Sequence, residues 1–395
     1  MDIEELKLLA ARLEEEGKED FEKVNQTIYD FAELGNQEFK STAYLSQKLR
    51  EIGFTVIEAY CGIPTAIRGE YGSGKPKIAF LAEYDALPGY GPDKNQNGHA
   101  CGHNWISANC YGACAVLAKL KEHFQGTIVF MGAPAEETTG GKVDLVKAGA
   151  FDDIDLAMQI HITGGDETQL GNTTLAIDSV EFTFQGVAAH AAAFPERGVN
   201  ALDGAYLTFN GINALRQHIT DDARVHGIIC QGGVAANITP NIAVAQFYVR
   251  AAKREYLDTL TQKVINCAKG AELMTGAKLS LRYFENSFDN HIQNPVLKDI
   301  MEESLYEAGE EKKFVSTQIL PPNGSSDLGN VSHVCPTVYV SMAAHNGDNS
   351  NCHEEKFLPY CTGEVGFACL HKAIKAQVFT ALTVFTNPEI QKKLK

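Results

Sequence analysis

The chain has 395 residues, 44% of them hydrophobic, and a formal net charge of −16. That length fits two or three domains with sizeable cores. The acidic balance excludes nucleic acid or an anionic membrane surface as partner, because both need a basic face.

The amino-terminal stretch MDIEELKLLAARLEEEGKED is acidic and amphipathic, with Leu6, Leu9, Ala10 and Leu13 on one side. It lacks the basic start and continuous apolar run of a signal peptide. No stretch of about 18 apolar residues reads as a membrane span. Ten cysteines without a secretion signal suit a reducing cytosol, so a cytoplasmic protein is expected. Residues 4–52 read as two helices with a turn at GNQEF. TVIEAY, TAIRGE and PKIAFLAEYDALPG read as strands, the last running into a loop. A helix over WISANCYGACAVLAKLKEHF and a strand over GTIVFMGAPAEE follow. VDLVKAGAF is a short helix and IDLAMQIHIT another strand. Strands alternating with helices predict a mostly parallel sheet flanked by helices, an α/β fold. In such sheets ligands gather at the carboxyl ends of strands. Asp85, Glu136, Glu137 and His161 all sit at such ends.

From about residue 178 the pattern changes to strand, helix, strand, strand, helix, strand, a compact α+β unit of about 110 residues. The first pattern then returns in NPVLKDIMEESLYEAG, TVYVSM and a long final helix. A small domain, residues 178–289, is thus inserted between the two parts of a larger one, residues 1–177 and 290–395.

The densest chemistry lies in GHACGHNWISANC, residues 98–110. In an extended segment alternate residues project the same way, so Cys101 and His103 could reach one metal site. Thiolate and imidazole suit zinc and similar ions. Glu136 and Glu137 follow an apolar strand, where solvated charge is unexpected. One could bind metal while the other holds a water, the division that metal-assisted hydrolysis needs. His161 ends the next apolar strand, and His345 and His353 lie in late loops. Cys101, His103, Glu137, His161 and a late histidine are too many for one tetrahedral zinc. They suit two ions sharing a bridging ligand, and a thiolate can bridge.

LAEYDALPG, GHACGHN, PAEE, GVAAHAA, SSDLGNVS and NCHEEKF occur in an order that resembles the aminoacylase/carboxypeptidase-like dinuclear metallohydrolases over nearly the whole chain. Within their amidohydrolase branch the chain is most similar to Xaa-Arg and β-alanyl-lysine dipeptidases and p-aminobenzoyl-glutamate hydrolases. The resemblance implies two divalent ions, zinc or alternatively manganese. It implies Cys101 as their bridge, His103 and His161 completing one site, and Glu137 and His353 the other. Glu136 would be the general base and Asp85 would orient the ligands from behind. From the inserted domain, His190 would reach a reaction centre, often a partner subunit's, while Asn237 and Arg250 would hold a substrate carboxylate. The implied activity is hydrolysis of the amide bond of a dipeptide or N-acyl amino acid. The implied assembly is a homodimer through the inserted domain, or a tetramer. Asn104 stands where many members of the branch have Asp, which removes a charge and could shift metal preference. His99 is expected to shape its loop, not to bind metal.

Two rival readings differ in class. A thiol hydrolase would use Cys101 as nucleophile with His103 or His99 as base, but leaves Glu136, Glu137, His161 and His353 without a task. A non-catalytic metal-containing binding protein would be signalled by loss of Glu136, which is present.

Overall fold

The computed structural model describes residues 1–322, 324–345, 347 and 350–394. Helices α1 (Ile3–Phe31) and α2 (Phe39–Glu51) precede strands β1 (Thr55–Glu58), β2 (Ile67–Ser73) and β3 (Lys77–Ala82). A small hairpin, β4 (Leu87–Pro88) and β5 (Asn97–Gly98), leads into α3 (His103–Lys119). Then come β6 (Gly126–Gly132), α4 (Gly141–Lys147), β7 (Leu156–Thr163) and β8 (Thr168–Gln169). The next stretch runs β9 (Ala176–Gln185), α5 (Ala201–Leu215), β10 (Arg224–Gln231), β11 (Ile242–Ala251), α6 (Arg254–Thr275) and β12 (Lys278–Tyr283). The chain closes with α7 (Pro295–Glu307), β13 (Val315–Ser316), α8 (Leu328–Ser332), β14 (Thr337–Ala343), α9 (Gly363–Thr386) and α10 (Pro388–Lys393).

The chain divides into two compact units. The first holds Met1–Thr173, Ile292–Pro321 and Asn330–Lys395. Its eight-stranded sheet has the order β1-β2-β6-β3-β7-β14-β8-β13. The central run β6, β3, β7 and β14 is parallel. The strands are antiparallel where β1 meets β2, where β2 meets β6 and where β8 meets β14. The expected mostly parallel sheet is therefore right at its centre. There the strands are mostly apolar and nearly all buried, because both faces are covered.

Helix α3 has no polar side. Every residue from His103 to Leu117 is buried, and the helix packs on α1, α9 and the sheet. Helix α1 starts on a capping box, Asp2 with Glu5, and buries Leu6, Ala10, Phe21, Val24 and Ile28 at helical spacing.

Between α1 and α9, His371 bonds Glu14 through Nδ1 (2.7 Å) and Glu22 through Nε2 (2.9 Å). Burial alone would lower the His371 pKa, but the two carboxylates prevail and raise it above the ordinary 6.5. Its contribution to stability is therefore complete below the ordinary histidine value and is lost as pH rises through the raised one. His371→Gln is expected to cost about 1–2 kcal/mol near pH 6, the lower part of the charged hydrogen-bond range because Glu22 is partly in water. Denaturant unfolding at several pH values should show the variant's stability declining less than the parent's as pH rises. Equal slopes would remove His371 as the cause.

The second unit holds Thr174–His291 and also Pro322–Gly329, a stretch expected from the sequence in the surrounding domain. Its four strands are antiparallel in the order β10-β11-β9-β12. Strand β11 alternates half-buried and buried residues along its whole length. The buried set packs with α5 and α6 into a separate core that includes Phe182, Phe184, Phe247, Leu257 and Val264. No helix among the described residues is long and apolar enough to cross a membrane. All ten cysteines are free thiols.

Candidate metal centre

The centre is built in the first unit, where β3, β6 and β7 end. Cys101 and His103 are not on an extended segment, as their spacing suggested. His103 is the first residue of α3, and Gly102 before it has φ 84°. A Cβ at Gly102 would lie 2.5 Å from Ile162 Cγ2, so the turn requires glycine for both conformation and space. This tight turn, not strand alternation, brings thiol and imidazole together. The Cys101 Sγ lies 3.5 Å from His161 Nε2.

Each histidine has one ring nitrogen engaged. The His103 Nδ1 is 2.6 Å from Asp85 Oδ1. His161 Nδ1 lies 2.7 Å from its neighbour's carbonyl, Ile162 O, and donates to it. Nε2 is thus the nitrogen on each ring that is turned toward the other donors and could serve as a ligand. Asp85 also accepts from the Glu137 backbone N–H through Oδ2 at 2.9 Å, so one buried carboxylate orients two elements. Past β6 the chain bends at Ala135, which has φ 60° and whose N–H donates to Glu38 Oε1 at 2.7 Å. The bend carries Glu136 and Glu137. Half-exposed His353 reaches Glu137 Oε1 from the far end of the chain, with Nε2 at 2.9 Å.

Three overlapping sets have ligand atoms within 4.8 Å of one another: Cys101, His103 and His161; Cys101, Glu137 and His353; His103, Glu136 and Glu137. His103 Nε2 and Glu83 Oε2 are buried without a hydrogen-bond partner. Such a set of thiol, imidazole and carboxylate donors fits a borderline-soft divalent cation.

The electrostatics follow the same grouping. Burial would lower the His103 pKa, yet Asp85 and Glu83 push it well up. For His161 burial prevails, helped by positive His103, and the pKa falls. Glu137 stays below the ordinary carboxylate value despite burial, because His353 and His103 favour its charge. The hydrogen bond with Cys352, then burial, push the Cys101 thiol well up. A coordinated cation reverses that last direction, since a ligating thiol is deprotonated outright.

Other residues at the centre had no clear signal. Glu83 is buried two positions before Asp85, with one oxygen on buried Lys142 and the other 3.4 Å from His103 Nε2. Glu38 is pushed up to about 7, by burial first and then by Asp85. Tyr90 donates its hydroxyl to the His353 carbonyl at 2.5 Å, and the His353 N–H donates to Ala100 O at 2.8 Å. Those bonds hold His353 in the left-handed region, φ 68°. Of these four, only Glu83 stands inside a motif that carries the resemblance, LAEYDALPG.

Three conspicuous residues serve elsewhere. His99 is buried and donates from Nε2 to Ile28 O at 3.0 Å. Burial drives its pKa to about 3, so it ties its loop to α1 as a neutral ring. His345 pairs with Glu310 at 2.5 Å. The Asn104 amide donates to Cys361 O (2.7 Å) and Asn25 Oδ1 (3.1 Å), a task that a carboxylate cannot perform.

His190, Asn237 and Arg250 lie in the second unit. His190 is exposed, and its Nδ1 accepts from the backbone of Ala192 (3.3 Å) and Ala193 (3.1 Å). The neutral ring therefore carries its proton on Nε2 and presents a donor. Asn237 is exposed and neighbours it, its carbonyl accepting from Ala191 N–H at 3.0 Å. Arg250 bonds Ser325 Oγ through Nη1 at 3.0 Å and lies against the Tyr248 ring. Its buried Nε has no hydrogen-bond partner, and among the described residues Arg250 forms no ion pair.

Known proteins share this organisation. The family profile of Peptidase family M20/M25/M40 matches residues 79–376. Xaa-Arg dipeptidase of Mus musculus is 32% identical over 98% of this chain and 91% of its own. One of the p-aminobenzoyl-glutamate hydrolase subunits of Escherichia coli is 33% identical over 75% of this chain and 64% of its own. Among solved structures, an aminobenzoyl-glutamate utilization protein from Klebsiella pneumoniae has the same fold, with a TM-score of 0.76 at 19% identity over 95% of this chain and 98% of that one. A dinuclear metal binding peptidase of family M20 from Bacillus subtilis gives 0.69 at 18% identity over 94% and 99%. The chain therefore belongs to Peptidase family M20/M25/M40 and is a metal-dependent hydrolase of amide C–N bonds.

Proposed function

We propose that this hydrolase uses two divalent cations, zinc or manganese, to cleave a dipeptide or N-acyl amino acid with a free carboxylate. The observation that carries this is the overlap of the three donor sets, in which Cys101, His103 and Glu137 each belong to two. Cys101 would be the common ligand, with His103 and His161 on one side and Glu137 and His353 on the other. Bound there, the cations supply carbonyl polarisation and a more acidic water. Glu136 takes the proton of the attacking water and passes it to the leaving amine. Asp85 holds His103 and the Glu137 backbone in register.

His190 contributes an Nε2–H donor to the oxyanion. Arg250, a guanidinium without an ion pair among the described residues of an acidic protein, supports the reading of a carboxylate site with Asn237. The likeness to an Xaa-Arg dipeptidase and a p-aminobenzoyl-glutamate hydrolase supports substrates of this class. The thiol-nucleophile reading leaves Glu137, His161 and His353, whose donor atoms gather around Cys101 and His103, without a task.

A homodimer through the second unit is consistent with its edge strand β10, which exposes Ile228 and Ile229. Ten free thiols suit a cytoplasmic location.

The test is a cation-loaded enzyme assayed against dipeptides and N-acyl amino acids, each as free acid and as carboxamide. Amidation should cost about 1–3 kcal/mol, roughly 5- to 150-fold in kcat/KM. Equal kcat/KM for both forms would sink the carboxylate site. Failure to cleave any member of the panel would sink the substrate class.

A further inference from the structure

Glu83 and Lys142 form an ion pair whose side chains are 2% and 0% exposed. Glu83 directly follows β3, and Lys142 is the second residue of α4, so one sits at the end of a strand and the other in the first turn of a helix. One Glu83 oxygen is bound by the Lys142 ammonium. The other has no hydrogen-bond partner and faces His103 Nε2 at 3.4 Å, an atom equally without one. Two buried polar atoms left open toward each other mark a place where a charge belongs. The Glu83 oxygens are nonetheless absent from all three sets whose donors lie within 4.8 Å.

We propose that Glu83 is a positioning residue that supplies fixed negative charge beside the cation held by His103 and His161, while Lys142 holds its carboxylate out of the coordination shell. This rests on the reading of His103 and His161 as cation ligands. A carboxylate left loose there could swing in and take a ligand position. Tied to the ammonium, it attracts the cation through space and leaves coordination to Cys101, His103 and His161.

The two partners should then have opposite effects on cation affinity, which a purely structural pair would not. Zn²⁺ affinity and stoichiometry are measured by competition with a chromophoric chelator, with unfolding of the chelator-treated proteins recorded in parallel. Glu83→Gln keeps the shape and is expected to weaken one of two bound ions by about 10- to 100-fold. Lys142→Met is expected to bind both ions at least as tightly as the parent. The double variant E83Q/K142M removes both charges and gives a second measure should either single variant fail to fold. It should hold the affected ion more weakly than the parent but more tightly than E83Q. Parental affinity in E83Q, or equal weakening in E83Q and K142M, overturns the proposal, as does parental affinity in the double variant. A parent protein that binds no Zn²⁺ would instead overturn the reading of the centre itself.

Discussion

Glu136→Gln is expected to bind cations as the parent does while turnover falls by about 10²–10⁴-fold. Gln is nearly isosteric with Glu but cannot take a proton from water. Glu136 follows the left-handed residue Ala135, whose N–H is bound by Glu38, so backbone and neighbours aim it independently of its charge. It lies in one donor set with His103 and Glu137 but outside the two that contain Cys101. The division of labour proposed here gives Glu137 to the cation and Glu136 to the proton. Steady-state kcat and elemental analysis on the same preparation separate these roles. A variant keeping more than about a tenth of parental kcat, outside the range for a lost general base, removes Glu136 from that role. A variant that loses its cations instead makes Glu136 a ligand.

His190→Ala should lower kcat by about 10²–10³-fold with unchanged cation content, the usual effect of losing one oxyanion donor. The backbone N–H groups of Ala192 and Ala193 fix the ring tautomer, so Nε2 carries the donor without help from any charged neighbour. If the donor acts on a partner's centre, mixed oligomers of His190→Ala and Glu136→Gln should regain part of the lost activity. Some centres would then join an intact Glu136 from one chain to an intact His190 from the other. Mixed oligomers that form and stay inactive exclude action in trans. Full activity of His190→Ala alone leaves the residue an exposed histidine beyond the end of β9 and nothing more.

The centre of the first unit was legible in the chain because buried parallel strands are apolar on both faces. A charge at the end of such a run stands out, and Asp85, Glu136 and Glu137 stood out in that way after β3 and β6. His161 did so too, although it lies inside β7, two residues before the strand ends. The α+β order of the second unit was legible from the switch to period two. Residue chemistry and local period, both short-range properties, determined that much.

Other features depended on which strands lie side by side. The order β6-β3-β7-β14 sets Lys142 on Glu83 and Glu137 beside His353, pairs separated by 59 and 216 positions. No local period encodes such a neighbourhood. The turn at Gly102 is not extended as its spacing suggests, because glycine permits both conformations and no local period tells them apart; the fold leaves no room there for a Cβ beside Ile162. His353 has φ 68° without being glycine, so its identity announces nothing about its backbone. Tertiary hydrogen bonds from Tyr90 and to Ala100 hold it there, because only the assembled fold offers those partners at a distance that offsets the strain.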